Sequence, residues 1–145
     1  MITELFYLAI ALFGVFLVSQ IPHELCHYWL SKRKGGHPKI QIWLWHNIPS
    51  MRCLNGTDSL FYFAGVLNAF VLVLFGLILY LFWLPVSIAL FVNANVQLFY
   101  GVYEGFFINR LPRDTYMKWH YVIYVIAAII GIILVRGMIA SYMGW

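Results

Sequence analysis

Apolar residues in this chain gather in long blocks. Four stretches, near 4–30, 59–83, 86–108 and 119–141, meet the roughly 20 helical residues that a bilayer core about 30 Å thick requires. A polar connector separates the first two, a tight break at Pro85 the next two, and Asn109-Arg110-Leu111-Pro112-Arg113-Asp114 the last two. One segment follows another rhythm. Lys39-Ile40-Gln41-Ile42-Trp43-Leu44-Trp45 alternates with period two and is rich in β-branched and aromatic residues, which predicts a strand. Asn47-Ile48-Pro49-Ser50 predicts a turn, and Met51-Arg52-Cys53-Leu54 a short returning strand before Asn55-Gly56. The expected fold is all-α and membrane-embedded: four transmembrane helices and a small interfacial β-hairpin between the first and second, forming a single domain over 1–145. An interfacial loop without a sheet is the alternative for the connector.

Composition supports a lipid-facing chain. Of 145 residues, 63% are hydrophobic and 10% charged, more apolar surface than a soluble fold of this size can hide. In hydrocarbon such side chains face lipid freely, provided that backbone polar groups are paired within helices or a closed barrel. Two cysteines, Cys26 and Cys53, are too few for a disulfide framework. The start Met1-Ile2-Thr3-Glu4 lacks the basic region of a signal peptide, so the first span is expected to be retained.

Basic residues orient the spans, because Lys and Arg accumulate in cytoplasmic loops. Lys32, Arg33, Lys34, Lys39 and Arg52 lie between spans one and two, and Arg110, Arg113 and Lys118 between spans three and four. Arg136, near the far end of span four, can snorkel to the opposite interface. Both termini are therefore expected outside the cytoplasm of a multi-pass protein of the cell membrane.

Candidate chemistry lies in span one. His23-Glu24-Leu25-Cys26-His27 matches the HExxH pattern, in which histidines at i and i+4 share a helical face and can hold one zinc ion. Glu24 stands on a neighbouring part of that face, where its carboxylate can take a proton from an attacking water and later deliver it to the leaving amine. Ionisable residues inside a transmembrane helix are costly, and three within five positions need a common reason, for which metal coordination is the simplest. The other reading places both histidines at a wetted helix end.

With these residues in view, the chain resembles the site-2 protease family of intramembrane zinc metalloproteases. That family carries HExxH on one core helix, Gly-x-x-Asn on the next, and an Asp-Gly pair on the third. Here Gly65-Val66-Leu67-Asn68 resembles the second element and Glu104-Gly105 the third, with glutamate in place of aspartate. The usual prolines near these elements are absent, and Asn93-Ala94-Asn95-Val96-Gln97 precedes the Glu-Gly pair. The resemblance implies Zn²⁺ held by His23, His27 and Glu104, Glu24 and Asn68 as catalytic residues, and hydrolysis of peptide bonds in transmembrane or membrane-bound proteins. Expected partners are such a substrate and the lipid bilayer, with no nucleic acid.

Depth supports convergence independently of the resemblance. His23 lies nine positions from Lys32, Asn68 ten from Asp58, and Glu104 six from Arg110, which sets all three about 9–15 Å below one surface. An active site toward the cytoplasmic side follows. Asn68 is open to two readings, an interhelical hydrogen bond or a hold on the substrate backbone or oxyanion. Asn93, Asn95 and Gln97 either line a water path or pack. His46, His120, Asp58 and Asp114 are expected to be solvated, with Asp58 and His120 as rival third donors, and Cys26 to be a small buried side chain. Strand 39–45 can offer an edge to an unwound substrate. A non-proteolytic zinc-binding membrane protein, structural or transporting, is the alternative function; Glu24 speaks against it, because a structural site has no use for a base. Haem binding is disfavoured, since two histidines on one helix face cannot straddle a porphyrin.

Overall fold

The computed structural model describes residues 2–33, 35–45, 48–54, 63–107 and 110–145. Most of these are helical. The elements are α1 (Ile2–Arg33), β1 (Lys39–Trp45), β2 (Ile48–Leu54), α2 (Ala64–Leu79), α3 (Leu84–Phe107), α4 (Arg113–Leu134) and α5 (Arg136–Met143). Ile2–Arg33, Leu84–Phe107 and Asp114–Leu134 are long and apolar enough to cross a membrane. The 16 residues of α2 rise only about 24 Å, and the expected start of its span at 59–62 lies outside the described residues. Large apolar side chains cover the outer faces, among them Phe13 (60% exposed) and Phe70 (64% exposed). Water penalises that pattern and hydrocarbon does not.

Two expected boundaries move. The fourth span was expected over 119–141, but α4 begins at Arg113, immediately after Pro112, and ends at Leu134. Proline just outside a first turn costs nothing there, because the first helical N–H groups lack intrahelical partners anyway. At the other end Val135 leaves helical geometry (φ −96°, ψ 10°). The chain then turns so that Met138, Ile139 and Tyr142 of α5 pack on the cluster of Leu8, Ile88, Val92 and Val135. The break lets those side chains become partly buried. In the connector, β1 and β2 pair antiparallel from Lys39↔Leu54 to Trp45↔Ile48. Pro49 and Ser50 therefore belong to β2 instead of a turn, and a strand edge tolerates the missing proline N–H. The backbone of β2 lies along α1, leaving β1 as the outer strand.

Helix α3 is central, touching α1, α2, α4 and α5. Lipid supplies little hydrophobic drive between helices, so small residues and polar ties must hold them. Both are present. A Cβ added at Gly101 would stand 2.5 Å from the Val66 nitrogen, and one at Gly65 2.7 Å from the Gly101 Cα, so α2 and α3 cross backbone on backbone. Ser87 Oγ donates to the Gly76 carbonyl at 2.8 Å, and Asn95 Nδ2 to the Ala127 carbonyl at 2.5 Å, tying α3 to α2 and α4. Asn95 thus has a packing role. The Gly65–Gly101 crossing sets how closely the lower half of α3, which carries Glu104, approaches its neighbours.

Candidate metal centre

Helix α1 runs unbroken through His23-Glu24-Leu25-Cys26-His27, so the two imidazoles stand one turn apart, edge to face, with Nε2 atoms 3.1 Å from each other. Pro22, immediately before, removes one intrahelical N–H donor, and the Asn68 amide reaches across from α2 to the nearby Ser19 carbonyl at 3.2 Å. One turn separates Ser19 from His23. Asn68 therefore fastens the turn that precedes the first histidine, which is the interhelical reading of that residue; its Oδ1 is buried and makes no hydrogen bond among the described residues.

Glu104 approaches from α3. Its Oε2 lies 3.8 Å from His27 Nε2 and makes no hydrogen bond among the described residues, although Glu104 is buried. The ligating atoms of His23, His27 and Glu104 all lie within 4.8 Å of one another. Two tetrahedral ligands at 2.0–2.2 Å from one zinc ion stand about 3.3–3.6 Å apart, and the 3.1 and 3.8 Å separations bracket that value. Two imidazoles and a carboxylate are also the donor types that zinc accepts in sites keeping a fourth position open. The residues therefore fit a metal ion, and a divalent ion of similar size and donor preference fits the same set.

Glu24 stands beside this group without joining it, with Oε1 4.0 Å from His23 Nε2. Its carboxylate and that of Glu104 are close enough to repel each other. A cation among the four side chains relieves that repulsion and supplies the charge that buried carboxylates need.

The rival donors fare differently. His120 is half-buried, stacked on Tyr124 and edge-on to Tyr100, outside the metal-ligating group. It is thus an aromatic packing residue where a solvated one was expected. Asp114 is exposed, while His46 and Asp58 lie outside the described residues. Cys26 is partly buried and not in the group. A Cβ at Gly105 would meet the Phe63 ring at 2.5 Å, so the space beside this glycine is filled from the residue just before α2. Two nearby residues had not been singled out as parts of the centre. Tyr100, one turn before Glu104, sets its ring 6.0 Å from that of His23, and Gln97 is enclosed beside His23. The spacings 97, 100 and 104 place them on the Glu104 side of α3, a signal readable only once that stripe is known to face α1.

Comparison of the chain with protein-family models, with curated proteins and with solved structures found no match.

If Glu104 is the third ligand, its substitutions should grade by reach. Glu104→Ala should weaken zinc by more than the roughly 10–100-fold that loss of a supporting hydrogen bond costs, and Glu104→Asp, one methylene short, by less. Competition with a chromogenic chelator measures both, and unchanged affinity in Glu104→Ala would remove Glu104 from the ligand set.

Proposed function

We propose that this chain is an intramembrane zinc endopeptidase of the site-2 protease type, acting on transmembrane or membrane-bound protein substrates. The observation that carries the proposal is the convergence of His23, His27 and Glu104 within 4.8 Å, beside the carboxylate of Glu24, on helices apolar enough to cross a membrane. A purely structural metal site leaves Glu24 unexplained. In this reading α2 completes a four-span bundle with both termini outside the cytoplasm, the strand pair lies at the cytoplasmic interface, and the site opens toward that side. Support for this orientation comes from the basic connectors and from α1, where Lys32 lies over the Tyr28 ring (5.6 Å) and Arg33 over Trp29 (5.3 Å). Aromatic and basic residues together mark the headgroup level.

Zinc held by His23, His27 and Glu104 would supply Lewis acidity, lowering the pKa of a water and polarising the scissile carbonyl. Everything else falls to the chain. Glu24 accepts the proton of the attacking water and returns it to the departing amine nitrogen. Asn68, with Nδ2 engaged by Ser19, holds in place the turn of α1 that precedes His23. Peptide bonds within a helix are hydrogen-bonded and shielded, so the substrate must unwind locally. The outer edge of β1 can hold such a segment by strand addition.

Two experiments test the proposal. Glu24→Gln keeps the shape and loses the base; cleavage of a membrane-bound substrate should fall by about 10²–10⁴-fold with zinc retained. Unchanged cleavage sinks the mechanism. For the orientation, a cysteine introduced at His37 should react with a membrane-impermeant thiol reagent from the cytoplasmic side only, and labelling confined to the external side would invert it.

A further inference from the structure

Hydrolysis of an amide places negative charge on the carbonyl oxygen, so a centre that performs it needs a donor for that oxygen as well as a base. Asn68 is fully buried, with its Nδ2 committed to the Ser19 carbonyl; it braces α1 and does not meet a substrate. Ionised carboxylates accept and do not donate. Tyr100 is placed differently. It stands one turn before Glu104 on α3, half-buried, with its ring 6.0 Å from that of His23. Helix α4 closes round the same ring, with Tyr124 at 4.9 Å and His120 edge-on at 4.7 Å. Tyr124 in turn meets Phe16 of α1 at 6.3 Å. Tyr100 is therefore set between His23 and α4.

Its hydroxyl lies 3.3 Å from that of Tyr116. Each phenol brings one proton and their contact uses one, so the pair keeps a proton to give. Among the described residues neither hydroxyl donates to a third group. Tyr116 is buried, stacked on Tyr103, which leaves Tyr100, the half-buried member beside His23, as the one placed to spend that proton. Both hydroxyls are within electrostatic reach of the Glu104 carboxylate. A neutral O–H also serves in an apolar span without the insertion cost of a cation.

Resting on the reading of this chain as a peptidase, we propose that Tyr100 is a catalytic residue: its hydroxyl, backed by Tyr116, donates a hydrogen bond to the scissile carbonyl oxygen as negative charge builds there. In the addition step the water oxygen bonds to the carbonyl carbon, the π pair moves onto the carbonyl oxygen, and Glu24 takes the water proton. Tyr100 keeps its own proton throughout. Donation from Tyr116 to the Tyr100 oxygen polarises the Tyr100 O–H and strengthens it as a donor. As the carbonyl re-forms, the C–N bond breaks and Glu24 passes its proton to the nitrogen.

The competing explanation is a packing tie between α3 and α4, and two variants separate them. Tyr100→Phe and Tyr116→Phe break the same hydroxyl contact, so a tie predicts equal consequences. With dye-quenched casein as substrate in detergent micelles, Tyr100→Phe should lower kcat by about 10²–10³-fold, with KM and zinc affinity near wild type. Tyr116→Phe, which keeps the donor, should lose far less. An N-phosphoryl-leucyl dipeptide, whose tetrahedral phosphoryl oxygens copy the charged oxygen, should bind more weakly to Tyr100→Phe in parallel with kcat/KM, while the unfolding midpoints of the two metal-free variants agree. Equal losses in the two variants, unchanged kcat or phosphoryl-dipeptide affinity in Tyr100→Phe, or a midpoint lowered in Tyr100→Phe alone overturns the proposal. Cleavage abolished by Glu24→Gln yet intact in Tyr100→Phe removes Tyr100 and leaves the peptidase reading. Cleavage indifferent to Glu24→Gln removes both.

Discussion

Enclosing ionisable groups among apolar helices is the constraint on which this structure turns. His23, Glu24, His27 and Glu104 are all buried among helices whose outer faces are apolar. A charged side chain at the centre of a membrane helix costs roughly 2.5–3.5 kcal/mol on insertion scales, and two facing carboxylates compound that cost. A cation held among them would offset that cost. The interhelical ties described above bring Glu104 up to the α1 imidazoles. Gly65 and Gly101 allow close passage, Ser87 and Asn95 set the height of α3 against its neighbours, and Asn68 holds the turn before His23.

The helices fall into two groups by how they are joined. Helices α2 and α3 interlock backbone to backbone, a contact that tolerates no added side chain. Helix α1 meets them through side chains: the Asn68–Ser19 hydrogen bond, the buried polar cluster, and apolar packing such as that of Leu8 on Ile88 and Val92. A hydrogen bond of this kind in a membrane protein contributes about 0.6–2 kcal/mol. The two histidines and Glu24 thus sit on α1, while Glu104, Asn68 and Gln97 sit on the interlocked pair. A metal spanning the two would act as their strongest joint.

Local patterns were legible in the sequence and cross-helix partners were not. The i, i+4 spacing of His23 and His27 guarantees a shared face on any helix, and the depth of Glu104 could be counted from the basic loops. Its approach to His27 depends on α1 and α3 running side by side, which the depth count anticipated. Gln97 was readable only as a polar residue in an apolar span, since what it faces is set by α1, about 70 residues earlier. For Gly105 the residue was visible but its neighbour was not; the ring that fills its space is Phe63. The break at Val135 escaped notice because nothing in Leu134-Val135-Arg136 forbids a helix, and only the packing of Met138, Ile139 and Tyr142 on the Leu8–Ile88–Val92 cluster favours a turn. Period-two alternation did mark β1, while Pro49 read as a turn because proline tolerance at a strand edge depends on which side pairs.

Zinc K-edge X-ray absorption of the purified, zinc-loaded protein tests the metal centre most directly. The donor set requires only nitrogen and oxygen in the first shell, at about 2.0–2.2 Å, with the outer-shell scattering of two imidazoles, falling to one in His27→Ala. A sulfur scatterer at about 2.3 Å, which would bring in Cys26, or the signature of three imidazoles would contradict a centre built from His23, His27 and Glu104.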